Sequence, residues 1–201
     1  ATADPLAKAA LGRAVAADWL AGRITDIGSA APPDRPARPE RPSLRPPREV
    51  PKRKLGRGVE GRVALYHALA HIELNAVDLA WDIVARFGTP LPRAFADDWV
   101  KVADDEARHF QMLTGLLGSL GAAYGDLPAH DGLWEAAMET AHDPLARLAV
   151  VPMVLEARGL DVTPAMIERL ERAEDREGAA TLRIIYEEEI AHVAAGRKWF
   201  E

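Results

Sequence analysis

The sequence predicts an all-α fold, a four-helix bundle preceded by an N-terminal helix and a proline-rich strap. Apolar residues recur at helical spacing over several long segments. Alanine is abundant and aromatic residues make up only 6% of the chain, which favours closely packed helices over sheets. No segment shows the apolar–polar alternation of a half-buried strand. The 201 residues suffice for one domain with its own core.

The composition excludes several classes of protein. No apolar run reaches the ~18 residues of a membrane span, and residues 1–22 lack the features of a signal peptide. We therefore expect a cytoplasmic protein with no membrane partner. The chain has no cysteine, which excludes disulfides, thiolate zinc sites, iron–sulfur clusters and cysteine nucleophiles. Any bound metal must be held by carboxylates and imidazoles.

Two segments precede the bundle. Residues 1–29 should contain a helix over 5–23 that packs on the bundle, since Asp4-Pro5 is a start signal and apolar residues follow at helical spacing. Residues 30–56 hold eight prolines and predict an extended strap. Residues 34–57 carry nine Lys or Arg against three acids. We favour pairing of these cations with acidic helix faces over contact with phosphate or nucleic acid, which a basic run alone indicates weakly.

Residues 57–201 are assigned to the bundle. The predicted helices run from about 57–60 to 88, from 92 to 120, from 133 to 141, from 144 to 159 and from 176 to 200, with another short helix starting at 163–164. Gly88 and Gly159 supply the stop signals of two of them. Pro152 removes a backbone hydrogen bond four residues before Glu156, so the third long helix should be kinked there.

A repeated motif predicts a metal site inside the bundle. Glu-x-x-His occurs at Glu106–His109 and again at Glu189–His192. One more glutamate in an apolar run lies 33 residues before each motif, Glu73 in the first half and Glu156 in the second. Residues i and i+3 share one face of a helix, so each motif points a carboxylate and an imidazole at the same place. Two helices that each give one Glu and two that each give Glu-x-x-His form the di-metal carboxylate arrangement.

The charge of these side chains favours two cations. A single Glu-x-x-His pair is usually solvated, but the coincidence of six residues at matched spacing favours a metal site. Four carboxylates in an apolar interior repel one another and are costly to bury unpaired. Two divalent ions balance the four charges, and two neutral imidazoles complete the ligand set. Carboxylate with imidazole suits iron best, with manganese as the alternative, over copper or a structural zinc.

The residues around these positions resemble known families. Asp105-Glu106-Ala107-Arg108-His109 resembles the Asp-Glu-x-Arg-His signature of the ferritin-like di-iron carboxylate superfamily. Three stretches resemble an uncharacterised bacterial ferritin-like family, the domain of unknown function 455: Pro46-Pro47-Arg48-Glu49-Val50-Pro51, His67-Ala68-Leu69-Ala70-His71-Ile72-Glu73-Leu74 and Leu155-Glu156-Ala157-Arg158-Gly159-Leu160-Asp161-Val162. The chain is more distantly similar to the tRNA hydroxylase di-iron family. The resemblance covers nearly the whole chain and implies a ferritin-like bundle and its metal ligands, but no substrate. Glu188 departs from the pattern, where an aspartate is usual.

Further residues are predicted to act next to the ligands. Metal-bound imidazoles need an acceptor for their second N–H. We expect Asp105 to orient His192 and Glu188 to orient His109, with Arg108 paired to one of these acids; the alternative is that all three are surface charges. Two tyrosines on metal-side helix faces, Tyr66 and Tyr186, could line a pocket or supply a redox phenol, although core packing with a bonded hydroxyl is the simpler interpretation.

Several functions are compatible with this site. The favoured hypothesis is an O2-activating di-iron oxidase or oxygenase of a small organic substrate, which would need an external electron donor because the chain has no cysteine. The alternatives are an iron-handling ferroxidase, a peroxide-detoxifying protein similar to manganese catalase, an RNA-modifying hydroxylase and a non-enzymatic scaffold. The expected partners are O2 or peroxide and a small molecule, with no nucleic acid. The long N-terminal region should obstruct the assembly of a ferritin cage. We therefore consider a homodimer, and not a cage, as a possible oligomer.

Overall fold

The computed structural model describes residues 2–50 and 58–201. The end of the predicted strap and Arg57, the first residue assigned to the bundle, lie outside the described residues. Seven α-helices and one π-helical segment make up the described bundle and its N-terminal helix: α1 Pro5–Leu20, α2 Val59–Phe87, α3 Arg93–Ser119, α4 Gly132–Glu139, α5 Pro144–Val150, the π segment Val151–Glu156, α6 Ala157–Arg172 and α7 Arg176–Phe200. The part of the chain that the structure describes contains no strand, only an isolated bridge between Leu44 and Ala129. The prediction of an all-helical protein is confirmed.

Two helical hairpins form the body of the molecule. Helices α2 and α3 are joined by residues 88–92 and pack along each other, and α6 and α7 are joined by residues 173–175 in the same way. The two hairpins meet where α3 contacts α7. Fully buried Leu74, Phe110 and Leu182 come from α2, α3 and α7 and lie in one apolar cluster. Helices α2, α3 and α7, which carry five of the six predicted metal ligands, therefore pack around one core.

The third helical segment differs from the prediction. Helical conformation runs from Pro144 to Arg172, so the expected stop at Gly159 and the expected new helix at 163–164 are wrong. Pro164 lies inside α6, where Thr163 and Leu170 are buried and α6 packs against α7. Tertiary packing here outweighs the local preference of glycine and proline. The expected distortion at Pro152 is present, because this residue lies in the π segment that ends at Glu156.

The N-terminal helix packs on the outside of the bundle. Helix α1 contacts α3 and, less extensively, α2, and it ends at Leu20 rather than at residue 23. Trp19 is buried and donates its indole N–H to Asp97 at 2.8 Å. Asp4 caps the start of α1 by accepting from the Ala7 N–H at 2.7 Å. None of the helices in the described part of the chain combines the length and apolar character that a bilayer span requires.

The described part of the strap, residues 30–50, is fixed by hydrogen bonds and ion pairs. Its carbonyls at Pro33 and Ala37 accept from Arg86 and Lys8 at 2.9 and 2.8 Å. Arg35 pairs with Asp131 at 2.6 Å, and Arg38 lies 3.7 Å from Asp78. These two strap arginines contact acidic residues of the helical body, as the favoured interpretation of the basic run expected.

A buried aspartate ties α7 to α2 and leads to a stability prediction. Asp175 caps α7 through the Gly178 N–H at 2.9 Å and accepts from the Tyr66 hydroxyl at 2.6 Å and from Arg62 at 3.1 Å. Burial opposes ionisation of Asp175, but hydrogen bonds from Tyr66, Gly178 and Arg62 outweigh burial and hold its pKa below the usual value. We expect Asp175→Ala to lower the free energy of unfolding by about 2–4 kcal/mol, because it removes a cap and leaves a buried hydroxyl unpaired.

The pH dependence checks the cause of this loss. A carboxylate with a depressed folded pKa stabilises the fold above its unfolded pKa of about 3.9, and the contribution disappears as the pH falls through the folded pKa. Urea unfolding at pH 7 should therefore show the full difference between the wild type and Asp175→Ala, and the difference should shrink in strong acid. Asp4→Ala, which removes an exposed cap, serves as the control and should cost about 1 kcal/mol. Equal losses from both substitutions would contradict this account of Asp175.

Candidate metal centre

Three helices bring a group of potential ligands together in the core. Glu73 of α2, Glu106 and His109 of α3, and Glu189 of α7 each offer a ligand atom, and these atoms lie within 4.8 Å of one another. The first three residues are buried and Glu189 is partly exposed. Carboxylate oxygens and an imidazole nitrogen at this separation could hold a metal ion. The structure therefore contains a possible metal-binding site, formed by four of the six residues that the repeated motif predicts.

Glu106 lies between two halves of the site. Its Oε2 is 3.5 Å from His109 Nδ1, which also lies 3.2 Å from Glu73 Oε2. Its Oε1 is 3.2 Å from His192 Nδ1, which lies 3.4 Å from Glu189 Oε2. Each imidazole thus faces a different oxygen of the same carboxylate. This geometry is what a carboxylate bridging two positions requires.

The π segment carries the sixth residue of the predicted set. Glu156 is its last residue, and the Glu156 Oε2 atom is shielded from solvent. The segment approaches α7 closely at Gly196, where a Cβ atom would lie 2.6 Å from the Cβ of Pro152. Only glycine at position 196 leaves room for Pro152 at this distance. The distorted turn therefore packs tightly against α7 while Glu156 extends from its end.

The chemistry of the buried polar atoms tests whether the site suits a cation. Several shielded polar atoms have no partner in hydrogen-bond geometry among the described residues: Glu106 Oε1 and Oε2, Glu156 Oε2, Glu189 Oε2 and His192 Nδ1. Buried polar atoms in folded proteins almost always have partners, since each unpaired one costs about 1–3 kcal/mol. Hard oxygen and imidazole donors are the ligands of divalent iron and manganese. The donor set therefore fits such ions.

The electrostatics of the acids lead to the same conclusion. Burial and the neighbouring charge of Glu106 raise the pKa of Glu73 well above its usual value. Burial and the charges of Glu189 and Glu106 do the same for the pKa of Glu156. Burial alone would lower the pKa of His109, but the adjacent carboxylates of Glu106 and Glu73 outweigh burial and raise this pKa to about 11. Burial and like charge therefore oppose the ionisation of Glu73 and Glu156, and a cation at this site would favour it.

The outer nitrogens of both imidazoles contact acids from another helix. His109 Nε2 lies 2.7 Å from Glu188 Oε2, and His192 Nε2 lies 3.4 Å from Asp105 Oδ2. Arg108 pairs with Glu188 and lies 3.5 Å from Asp105. An acceptor at Nε2 fixes the tautomer and the ring orientation, leaving Nδ1 to face the carboxylates. The pairs expected from the sequence are in contact, and their role toward a bound metal stays a prediction.

Comparison with known proteins places the chain in a family. The family model described as "Protein of unknown function (DUF455)" matches residues 1–201. The chain belongs to the DUF455 family. It is similar to an uncharacterized protein of Haemophilus influenzae, with 43% identity over 185 residues that cover 89% of this chain and 64% of that protein. The match therefore spans less than two thirds of that relative's length. No solved structure matches the chain.

A cavity of about 460 Å³ opens beside the acids of this DUF455 chain. Four glutamates are part of its wall: Glu73, Glu106, Glu156 and Glu189. Most of the remaining wall is apolar and comes from α2, α4, the π segment, α6 and α7. Gly159, a small residue that the sequence suggested would leave room for a substrate, also lines it, as does Arg158, which was not predicted as a site residue.

The two tyrosines considered for a pocket lie elsewhere. Neither Tyr66 nor Tyr186 is among the described residues that line this cavity. The Tyr66 side chain is fully buried and its hydroxyl donates to Asp175, which corresponds to the alternative of core packing with a bonded hydroxyl. Tyr186 is half-buried on α7. Tyr66 lies seven residues, about two turns, before Glu73 on α2.

Proposed function

We propose that this DUF455 chain is a ferritin-like dinuclear metalloprotein and an O2-activating oxidase or oxygenase of a small organic substrate. The ions would be held by the six residues predicted from the repeated motif: Glu73, Glu106, His109, Glu156, Glu189 and His192. Iron is the favoured metal and manganese the alternative, since both accept carboxylate and imidazole ligands. His109 and His192 would each supply an imidazole to one of the two ions.

The contacts around Glu106 support two ions rather than one. His109 and His192 each lie beside a different oxygen of this carboxylate. Four glutamates carry four negative charges, and two divalent ions supply the same amount of positive charge. Asp105 and Glu188 would keep the imidazoles in the tautomer that leaves Nδ1 free. The contacts of His109 with Glu188 and of His192 with Asp105 support this orientation of the two rings.

The apolar cavity is the observation that carries the proposal of an oxidase. Its volume of about 460 Å³ lies within the range of small-molecule pockets, and it adjoins four glutamates of the proposed ligand set. Iron storage requires no apolar chamber beside the metal. Bound iron would supply O2 binding and reduction, with electrons from an external donor. The protein walls would exclude water and align the organic molecule.

Oxygen uptake tests this function. The protein is reconstituted with two equivalents of ferrous ion under anaerobic conditions and mixed with O2. We expect the loaded protein to consume O2 faster than the same concentration of free ferrous ion, and Glu106→Ala to abolish the difference. Glu187→Ala removes the same charge from an exposed position on α7 and should leave uptake unchanged. Uptake no faster than that of free ferrous ion would disprove the proposal.

A further inference from the structure

Arg158 gives the cavity a positive charge on its wall. This residue lies on α6, is exposed and lines the cavity. Among the described residues that line the cavity it is the one Lys or Arg, and no hydrogen bond or ion pair is found for it within the described chain. A guanidinium without a protein partner is free to bind a carboxylate or another planar anion. The charge at this position favours an anionic ligand and disfavours a cationic one.

Gly159 gives the cavity part of its space. Glycine inside a helix weakens the helix relative to alanine, so a glycine in α6 is costly to the fold. A Cβ built at this position meets no atom within 4 Å, so packing does not require glycine there. Gly159 lines the cavity, and a larger side chain would occupy part of it. The absence of a side chain at position 159 therefore enlarges the cavity, and it does not stabilise the helix.

The remaining wall defines the body of a ligand. Leu69, Leu133 and Leu155 are among the apolar residues that surround the space. Its volume of about 460 Å³ is roughly three times the ~150 Å³ of an engineered cavity that binds one benzene molecule. A ring with a short chain fits such a volume together with the metal ligands. The anionic group should face Arg158, because this guanidinium attracts it and the glutamates of the wall repel it.

We propose that the cavity binds an apolar carboxylic acid, with the carboxylate on Arg158 and the hydrocarbon body over Gly159 toward Glu156. This inference rests on the proposed function only in taking the cavity as the substrate site. Binding depends on the metal, since the four acids repel an anion until cations neutralise them. The substrate class is therefore an acid with a hydrocarbon body about the size of a phenyl ring and a short chain.

Calorimetry on the manganese-loaded full chain tests this directly, because manganese allows binding to be measured without adding a reductant. The probes are 4-phenylbutyrate and its neutral counterpart 4-phenylbutanol. We expect the acid to bind more tightly than the alcohol and Arg158→Gln to weaken binding of the acid about five- to tenfold. The alcohol should change less than about twofold, since it makes no ion pair. Arg169→Gln makes the same change at an exposed position of α6 outside the cavity wall and should affect neither probe.

A second variant tests the role of Gly159. Gly159→Leu improves helix propensity, so folding is expected to survive while the cavity is filled. Both probes should then lose binding, and metal content should stay at the wild-type level. The inference is overturned if the alcohol binds as tightly as the acid, if Arg158→Gln and Arg169→Gln behave alike, or if Gly159→Leu binds both probes normally. Acid binding without oxygen uptake would disprove the oxidase and leave the inference intact; uptake without acid binding would do the reverse.

Discussion

Replacing Glu106 with alanine is expected to abolish metal binding in both halves of the site. The two oxygens of this buried carboxylate face different imidazoles, His109 at 3.5 Å and His192 at 3.2 Å. Removing it takes one ligand from each proposed ion and one of the four negative charges that attract them. Metal analysis after anaerobic loading and desalting should give two ions per wild-type chain and none for Glu106→Ala.

Two further variants separate this effect from a general change of charge. Of the two imidazoles, Glu73 contacts that of His109, at 3.2 Å. Glu73→Ala should therefore lower the content to about one ion per chain, because the ion beside His192 keeps its own ligands. Glu187→Ala, at an exposed position, should retain both ions. Circular dichroism checks that each variant is folded. A Glu106→Ala protein that still carries two ions would refute the bridging role of this residue.

Replacing Arg147 with methionine is expected to lower the free energy of unfolding by about 3 kcal/mol. The guanidinium is 1% exposed and donates to Asp82 at 2.6 Å, to the Thr140 hydroxyl at 3.0 Å and to the Ala137 carbonyl. Breaking a buried ion pair leaves an uncompensated charge, which costs about 3–5 kcal/mol. Arg86 still contacts Asp82 at 2.8 Å, so the lower end of this range applies.

The contrast with an exposed pair tests the reason for this cost. Arg172→Met removes the partner of Glu168 on the surface of α6, where the two side chains are 2.8 Å apart and largely exposed. Solvent-exposed pairs contribute about 0–1 kcal/mol, so this variant should be nearly as stable as the wild type. Urea unfolding of both variants supplies the comparison. Similar losses from the two substitutions would mean that burial of Arg147 does not determine its contribution.

The candidate ligands could be found from the sequence because helical geometry is local. Residues three apart on a helix share a face, and the repeat of Glu106–His109 in Glu189–His192 directed the prediction to both motifs. The effect of Pro152 was also predictable, since proline removes a backbone donor wherever it stands in a helix. These inferences needed only distances along one chain segment.

The course of α6 and the cavity could not be found in the same way. Gly159 and Pro164 are local stop signals, but burial of Thr163 and Leu170 against neighbouring helices keeps the helix intact. The cavity wall combines residues from α2, α4, the π segment, α6 and α7. Its existence depends on how these helices are spaced in three dimensions. No local pattern specifies that spacing.

Anomalous X-ray diffraction at the iron edge, from crystals of the full chain grown anaerobically with ferrous ion, tests the dinuclear site most directly. We expect two peaks about 3.5–4 Å apart, each about 2 Å from one oxygen of Glu106. One peak should lie beside His109 and Glu73, and the other beside His192 and Glu156. An iron-saturated crystal without these peaks, with the two imidazoles turned toward solvent, would contradict the account.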